Sequence, residues 1–323
     1  MQAIRVQDYG SVEVRRLEEL PDPVPQAGQV LVAVEVAGVG YGDVIVRSGG
    51  YPMPLPWTPG VEVGGTVAAV GPGGDASLVG RRVVATTLNN AGGYASLALA
   101  EPGNVFLVPD GLDLQLAVPV FQAGALAVGI LAAVRLEPGD TALVTAAAGR
   151  IGSLLVQVAK AAGAQVIGAA GGPEKSAHVL AFGADHTVDY RQPGWESQVR
   201  DLTRGRGVDV VLDGVAGEVG TAALGLLAAG SGRIGLFGYS SGTREPLDVG
   251  QITRRGLTVV GAVGVAVTKP LGEQRELAER ALRAAAEGSL TPRVHRTFPL
   301  ADAPSAHLEL EQRRNVGAIL LTV

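Results

Sequence analysis

The chain has 323 residues, long enough for two domains that each bury an apolar core. Hydrophobic residues make up 47% and charged ones 18%, which excludes a disordered chain. A net charge of −5, 4% aromatics and no cysteine exclude a basic nucleic-acid surface, a disulfide framework and any thiolate metal site.

Residues 1–9 set Arg5 and Asp8 among alternating apolar side chains, which predicts a first strand rather than a secretory leader and a cytoplasmic protein. Val-rich runs at 30–36, 67–70 and 82–85, each bounded by turn residues, predict a β-rich, barrel-like module. Residues 114–134 carry no charge and are long enough to span a bilayer. Pro119, Gln122, Gly124 and Gly129 interrupt them, so a buried segment joining two domains is expected, with no membrane partner.

From residue 136 the pattern changes. A strand at 141–146, a helix at 151–162 and a strand at 165–169 form a βαβ unit, which demands a parallel sheet. The alternation continues with helices at 173–182, 195–203 and 222–228 and strands at 186–189, 208–213, 232–237 and 257–263. The fold class is α/β, with a doubly wound parallel sheet of about six strands. An amphipathic helix at 273–287 is stopped by Gly288, and closing strands at 294–298 and 318–323 are expected to return to the first domain.

Between the first strand and first helix of that sheet the chain reads Ala146-Ala147-Ala148-Gly149-Arg150-Ile151-Gly152. Small residues there let the backbone approach a pyrophosphate, and amides at the helix start face its charge. Ala146, Gly149, Arg150, Ile151 and Gly152 are therefore candidate cofactor-binding residues. The second strand ends at Gly171-Gly172-Pro173, where an NAD site carries an acid for the ribose. Gly171 removes the charge that repels a 2′-phosphate, and Lys175 supplies one that attracts it, so NADPH is expected rather than NADH. Two other readings stand beside this one: Lys175 as a solvated first-turn residue, and Glu174 as the ribose acid. Asp213, at a strand end, is either a further cofactor contact or a cap for the next turn.

Five segments carry a wider resemblance: Ala37-Gly38-Val39, residues 47–52 (Arg-Ser-Gly-Gly-Tyr-Pro), residues 59–65 (Pro-Gly-Val-Glu-Val-Gly-Gly), residues 146–152, and Gly183-Ala184-Asp185-His186. In this order they resemble the zinc-free quinone oxidoreductase and enoyl reductase branch of the medium-chain dehydrogenase/reductases. The resemblance implies a GroES-like catalytic domain at 1–120 and 264–323 around a Rossmann NADPH-binding domain at 121–263. It implies that Lys175, Tyr190 and Arg313 surround the 2′-phosphate, and that Phe237, Gly238 and Tyr239 lie beside the nicotinamide. It also implies a homodimer paired through residues 257–263. Zinc-dependent relatives carry Gly-His-Glu where this chain has Gly60-Val61-Glu62, and His178, His186, His295 and His307 show no ligand spacing, so no metal is expected. Two departures stand out: Gly40 and Gly124 occupy positions where relatives commonly carry Asn and Thr.

The expected chemistry is hydride transfer from NADPH to a quinone or to the C=C bond of an α,β-unsaturated carbonyl, with the protein stabilising developing negative charge. Tyr51 and Tyr41 are the candidate catalytic proton donors, with ordered water as the alternative. Trp57, Leu88 and Val265 are candidate apolar walls. Gly40 and Gly124 favour a competing reading, a protein that binds or senses NADPH without turnover.

Overall fold

The computed structural model describes residues 1–244 and 246–323. Two compact units emerge, one formed by Met1–Gln122 with Glu279–Val323 and the other by Ala123–Ala278.

In the first unit, β1 (Gln2–Val6) and β2 (Arg15–Glu19) form an antiparallel pair. A six-stranded sheet follows, built from β3 (Val30–Val39), β4 (Glu62–Val70), β5 (Arg82–Thr87), β6 (Leu97–Leu107), β13 (Val294–Pro299) and β14 (Ala318–Thr322). Its order is β13-β14-β3-β4-β5-β6, and an additional β3–β6 pairing closes the last four strands on themselves. Alternation along β3 sends Val30, Val32 and Val34 into the core beside Val63, Val83 and Ala98. The C-terminal strands thus return to the N-terminal sheet, β14 pairing antiparallel with β3.

Two short helices decorate this unit: α1 (Tyr41–Arg47) and α10 (Ala303–Glu311). The Val-rich reading of this region missed α1. Gly40 stands extended at its N-cap and the Asp43 carboxylate accepts the Gly40 amide at 3.1 Å, while Arg47 closes the last turn.

The uncharged stretch is α2 (Leu114–Ala133), a 20-residue helix that carries Pro119 and runs across the division between the units. By length and composition it qualifies as a membrane span, and 61% of its apolar window is buried inside the chain.

The second unit is a six-stranded parallel sheet of β7 (Thr141–Val144), β8 (Gln165–Ala170), β9 (His186–Asp189), β10 (Val210–Asp213), β11 (Arg233–Leu236) and β12 (Thr258–Val260), in the order β12-β11-β10-β7-β8-β9. Helices α3 (Arg150–Ala161), α4 (Pro173–Ala181), α5 (Trp195–Leu202) and α6 (Gly217–Gly225) alternate with the first strands. After β11 come α7 (Val249–Arg255), α8 (Ala262–Val267) and α9 (Leu271–Ala286). The chain builds outward from β7 to β9, then crosses back to β10, so the direction of winding reverses between β7 and β10. Ligands of doubly wound sheets bind beyond the strand ends at that reversal.

Three expectations need correction. The helix expected at 222–228 starts at Gly217 and ends at Gly225. Its last expected residues are drawn off because Val208 donates to Leu226 O and Ala228 donates to Val208 O. The strand expected at 257–263 stops at Val260, and Ala262 opens α8 instead, its Cβ standing 3.1 Å from where a Cβ on Gly235 would lie. Packing of α8 against β11 places residues 264–278 in the second unit, where the sequence assigned them to the first.

Candidate active site

The sharp turn after β7 belongs to the second unit. Ala146 adopts φ 49°, the left-handed region, and its carbonyl accepts the Gly149 amide at 2.8 Å. Gly149 then caps α3 in extended geometry. Ala147 donates to Ala169 O at 3.1 Å, tying the turn to β8. A Cβ on Gly152 would lie 2.1 Å from Ala146 O, so only glycine lets α3 start this close to the turn. The opening amides of a helix have no intrahelical acceptor, and those of α3, with Arg150 and Ile151 half-buried, lie at the winding reversal. This cradle fits the phosphates of a dinucleotide.

The other strand ends at the reversal buttress it. Asp213 is 0% exposed, and its carboxylate accepts from the Thr145 hydroxyl and from the amides of Val215 and Ala216, both at 3.0 Å. Burial pushes its pKa up against those hydrogen bonds. The Asp213 carboxylate thus shapes the loop that opens α6, the capping role that the sequence left open beside a cofactor contact. Beside it, a Cβ on Gly238 would meet Gly214 O at 2.8 Å, and one on Gly214 would meet the Phe237 ring at 2.6 Å. Phe237, Gly238 and Tyr239 thus lie along the Asp213–Gly214 strand end, and Arg244 stacks 4.5 Å above the Tyr239 ring.

At the end of β8, Gly171 and Gly172 precede α4, and Lys175 is half-buried on the first turn of that helix. The strand pairing sets Ala170 opposite Asp189, which brings the end of β9 alongside this turn. Tyr190 packs partly buried against the core of the unit. Arg191, which the sequence did not single out, lies against both glycines: a Cβ on Gly172 would fall 2.0 Å from its Nη2.

The remaining candidates belong to the first unit. Tyr41 opens α1 at 36% exposure, Tyr51 follows that helix at 62%, and Arg313 is exposed just past α10 with φ 53°. Trp57, a candidate wall, is 6% exposed and bridges to Val6, which makes it part of the core; Val265, in the second unit, is 46% exposed.

Sequence reasoning also missed a buried polar chain in the first unit. Asp43 Oδ1 accepts the Gly60 amide at 3.1 Å, Oδ2 accepts the Gly40 amide at 3.1 Å and the Tyr94 hydroxyl at 3.3 Å, and that hydroxyl shares a 3.1 Å hydrogen bond with His307 Nε2 on α10. Arg47, 1% exposed, donates to Gly10 O and pairs with Glu311, tying α1 to α10 a second time. The signal for Asp43 was its spacing three residues after Gly40, the capping pattern of a helix start.

Burial raises the pKa of Asp43 from 3.8 to about 6, with the Glu62 charge adding to the rise and the three hydrogen bonds opposing it. Asp43 thus stays protonated to a higher pH in the folded chain than an exposed aspartate does. The stability it confers is complete below the unfolded value of 3.8 and is lost as pH rises through about 6. We expect Asp43→Asn to remove this dependence. The carboxamide leaves one backbone amide unmatched at every pH, so the informative quantity is the slope. In urea titrations, wild type minus variant should shrink by roughly 3 kcal/mol from pH ~4 to ~7. A pH-independent difference would contradict the raised pKa.

A family model described as an alcohol dehydrogenase GroES-like domain matches residues 26–110, and one described as a zinc-binding dehydrogenase matches residues 151–286. A quinone oxidoreductase from Sus scrofa is 32% identical over 99% of this chain and 97% of its own length. A 2-haloacrylate reductase from Burkholderia sp. is 32% identical over 94% of this chain and 93% of its own. The crystal structure of Escherichia coli quinone oxidoreductase complexed with NADPH matches with a TM-score of 0.93 at 28% identity, covering 100% of both chains.

Proposed function

Because this chain belongs to the medium-chain dehydrogenase/reductases, in the quinone oxidoreductase branch, and is an NADPH-dependent oxidoreductase, we propose that it reduces a quinone or the C=C bond of an α,β-unsaturated carbonyl without zinc. The observation that carries the reading is the turn at Ala146–Gly152, where the missing Cβ of Gly152 admits a helix start against the strand end at the winding reversal.

When bound, NADPH supplies a hydride to the electron-poor acceptor. The chain's own residues bind, orient and protonate. Opening amides of α3 take the pyrophosphate, and Lys175, Tyr190 and Arg313 take the 2′-phosphate. The half-buried Phe237, Gly238 and Tyr239 orient the nicotinamide end. Tyr51 Oη, Tyr41 Oη or water delivers the proton to the enolate or hydroquinone oxygen.

The donor set does not fit zinc. The chain has no cysteine, Val61 stands where zinc-dependent relatives carry histidine, and among the described residues no three of His, Asp or Glu gather to hold a metal. We propose a homodimer paired through residues 257–263, a reading supported by β12 lying at the edge of the parallel sheet, and light scattering at the mass of a monomer would overturn it.

The test of function is a mixture of protein and NADPH with a benzoquinone, a phenanthrenequinone and an alkenal, following absorbance of the reduced nicotinamide. Consumption with any acceptor is expected; tight binding with none would favour the sensing protein. Cofactor choice has its own test: Lys175→Ala should weaken NADPH about tenfold or more and leave NADH nearly unchanged, because only NADPH carries the phosphate. Equal losses by fluorescence titration would remove Lys175 from that role.

A further inference from the structure

The end of β9 is folded over the turn that follows β8. Asp189 accepts the Arg191 amide at 3.0 Å and also the amide of Gly172, so one carboxylate fixes both segments. Burial pushes this carboxyl up, and the amides of Arg191 and Gly172 with the Gln192 and Arg191 side chains outweigh it and hold the group below its usual range. Asp189 is therefore charged and spent on the backbone, and it does not supply the ribose acid that the end of β8 lacks.

Arg191 is placed differently. Its Nε stands 3.4 Å from Asp189 Oδ1, and the side chain remains 60% exposed. A Cβ on Gly171 would meet Arg191 Cδ at 3.1 Å and Nε at 3.2 Å; one on Gly172 would meet Nη2 at 2.0 Å. Gly172 also has φ 99°, open to glycine alone at this ψ of 162°. Both glycines therefore keep open the volume in which the guanidinium lies.

This is the strand end where a doubly wound sheet reads the adenosine ribose, by an acid for a 2′-hydroxyl or an arginine for a 2′-phosphate. A planar guanidinium donates two parallel hydrogen bonds to a phosphate, and an exposed pair at 3.4 Å is too weak to compete with a dianion. We infer that Arg191 is a specificity-determining residue for the dinucleotide: its guanidinium, held over the Gly171–Gly172 turn, grips the 2′-phosphate. The inference rests on the NADPH reading above and adds a residue to it.

The probes are 2′,5′-ADP and 5′-ADP, which differ only in the 2′-phosphate, titrated calorimetrically into wild type, Arg191→Ala and Arg191→Lys. Arg191→Ala should weaken 2′,5′-ADP by about tenfold or more and leave 5′-ADP unchanged, with Arg191→Lys recovering part of the loss. Unchanged affinity of Arg191→Ala for 2′,5′-ADP, or equal losses for the two nucleotides, would overturn the assignment while leaving the dinucleotide site intact. Failure of wild type to bind either nucleotide would overturn the dinucleotide reading, and this assignment with it.

Discussion

Gly152→Ala should cut kcat/KM for NADPH about 100-fold and destabilise the second unit by about 1–3 kcal/mol. The added methyl would lie 2.1 Å from Ala146 O and 2.9 Å from Ala146 C and Ala147 Cα, all of them backbone atoms with no rotamer to yield. Ala146 is already in the left-handed region at φ 49°, so the turn has little freedom to open. Relief must come from moving α3 away, and its opening amides then no longer converge on the pyrophosphate. Gly225, at the C-terminal end of α6, provides the control: a Cβ there meets nothing within 4 Å, so Gly225→Ala should preserve activity. NADPH kinetics and thermal unfolding of the two variants decide the matter. Native behaviour of Gly152→Ala would refute the close-approach account.

The second large effect is in the other unit. Asp43→Ala should destabilise the chain by about 3–5 kcal/mol, because it leaves the amides of Gly40 and Gly60 without their acceptor and takes from the Tyr94 hydroxyl one of its two partners. Asp43 is 4% exposed, so water cannot replace the lost acceptor without opening the segments. Asp43→Asn keeps most of these partners and should cost distinctly less. Urea denaturation at neutral pH measures both variants, and equal costs would mean that size rather than hydrogen bonding at Asp43 matters. The same hydrogen bonds tie Gly60 to Gly40, the residue that precedes Tyr41, so Asp43→Ala tests how far the start of α1 depends on one buried side chain.

What was legible in the sequence follows from where its signals are local. β9 falls on its expected residues and β8 within one, because each is a short segment bounded by turn residues within a regular strand–helix alternation. The turn from Ala146 to Gly152 was legible for the same reason: its glycines are adjacent to the strand and helix they serve. Helix α1 went unread because 7 residues are too few for periodicity to show. The Asp43, Tyr94 and His307 chain joins residues 51 and 213 positions apart, which only the completed fold brings together. Arg191 was hidden likewise: it meets Gly171 and Gly172 through the β8–β9 register, while Lys175 was found because it is near those glycines in the chain. Asp213 was seen at a strand end, but the sequence could not show that Thr145, Val215 and Ala216 all donate to its carboxylate.

The most direct measurement is calorimetric titration of the folded chain with NADPH, with NADH alongside. The account requires one NADPH per chain, bound more tightly than NADH. Absence of heat with NADPH in a chain shown to be folded by circular dichroism would contradict it.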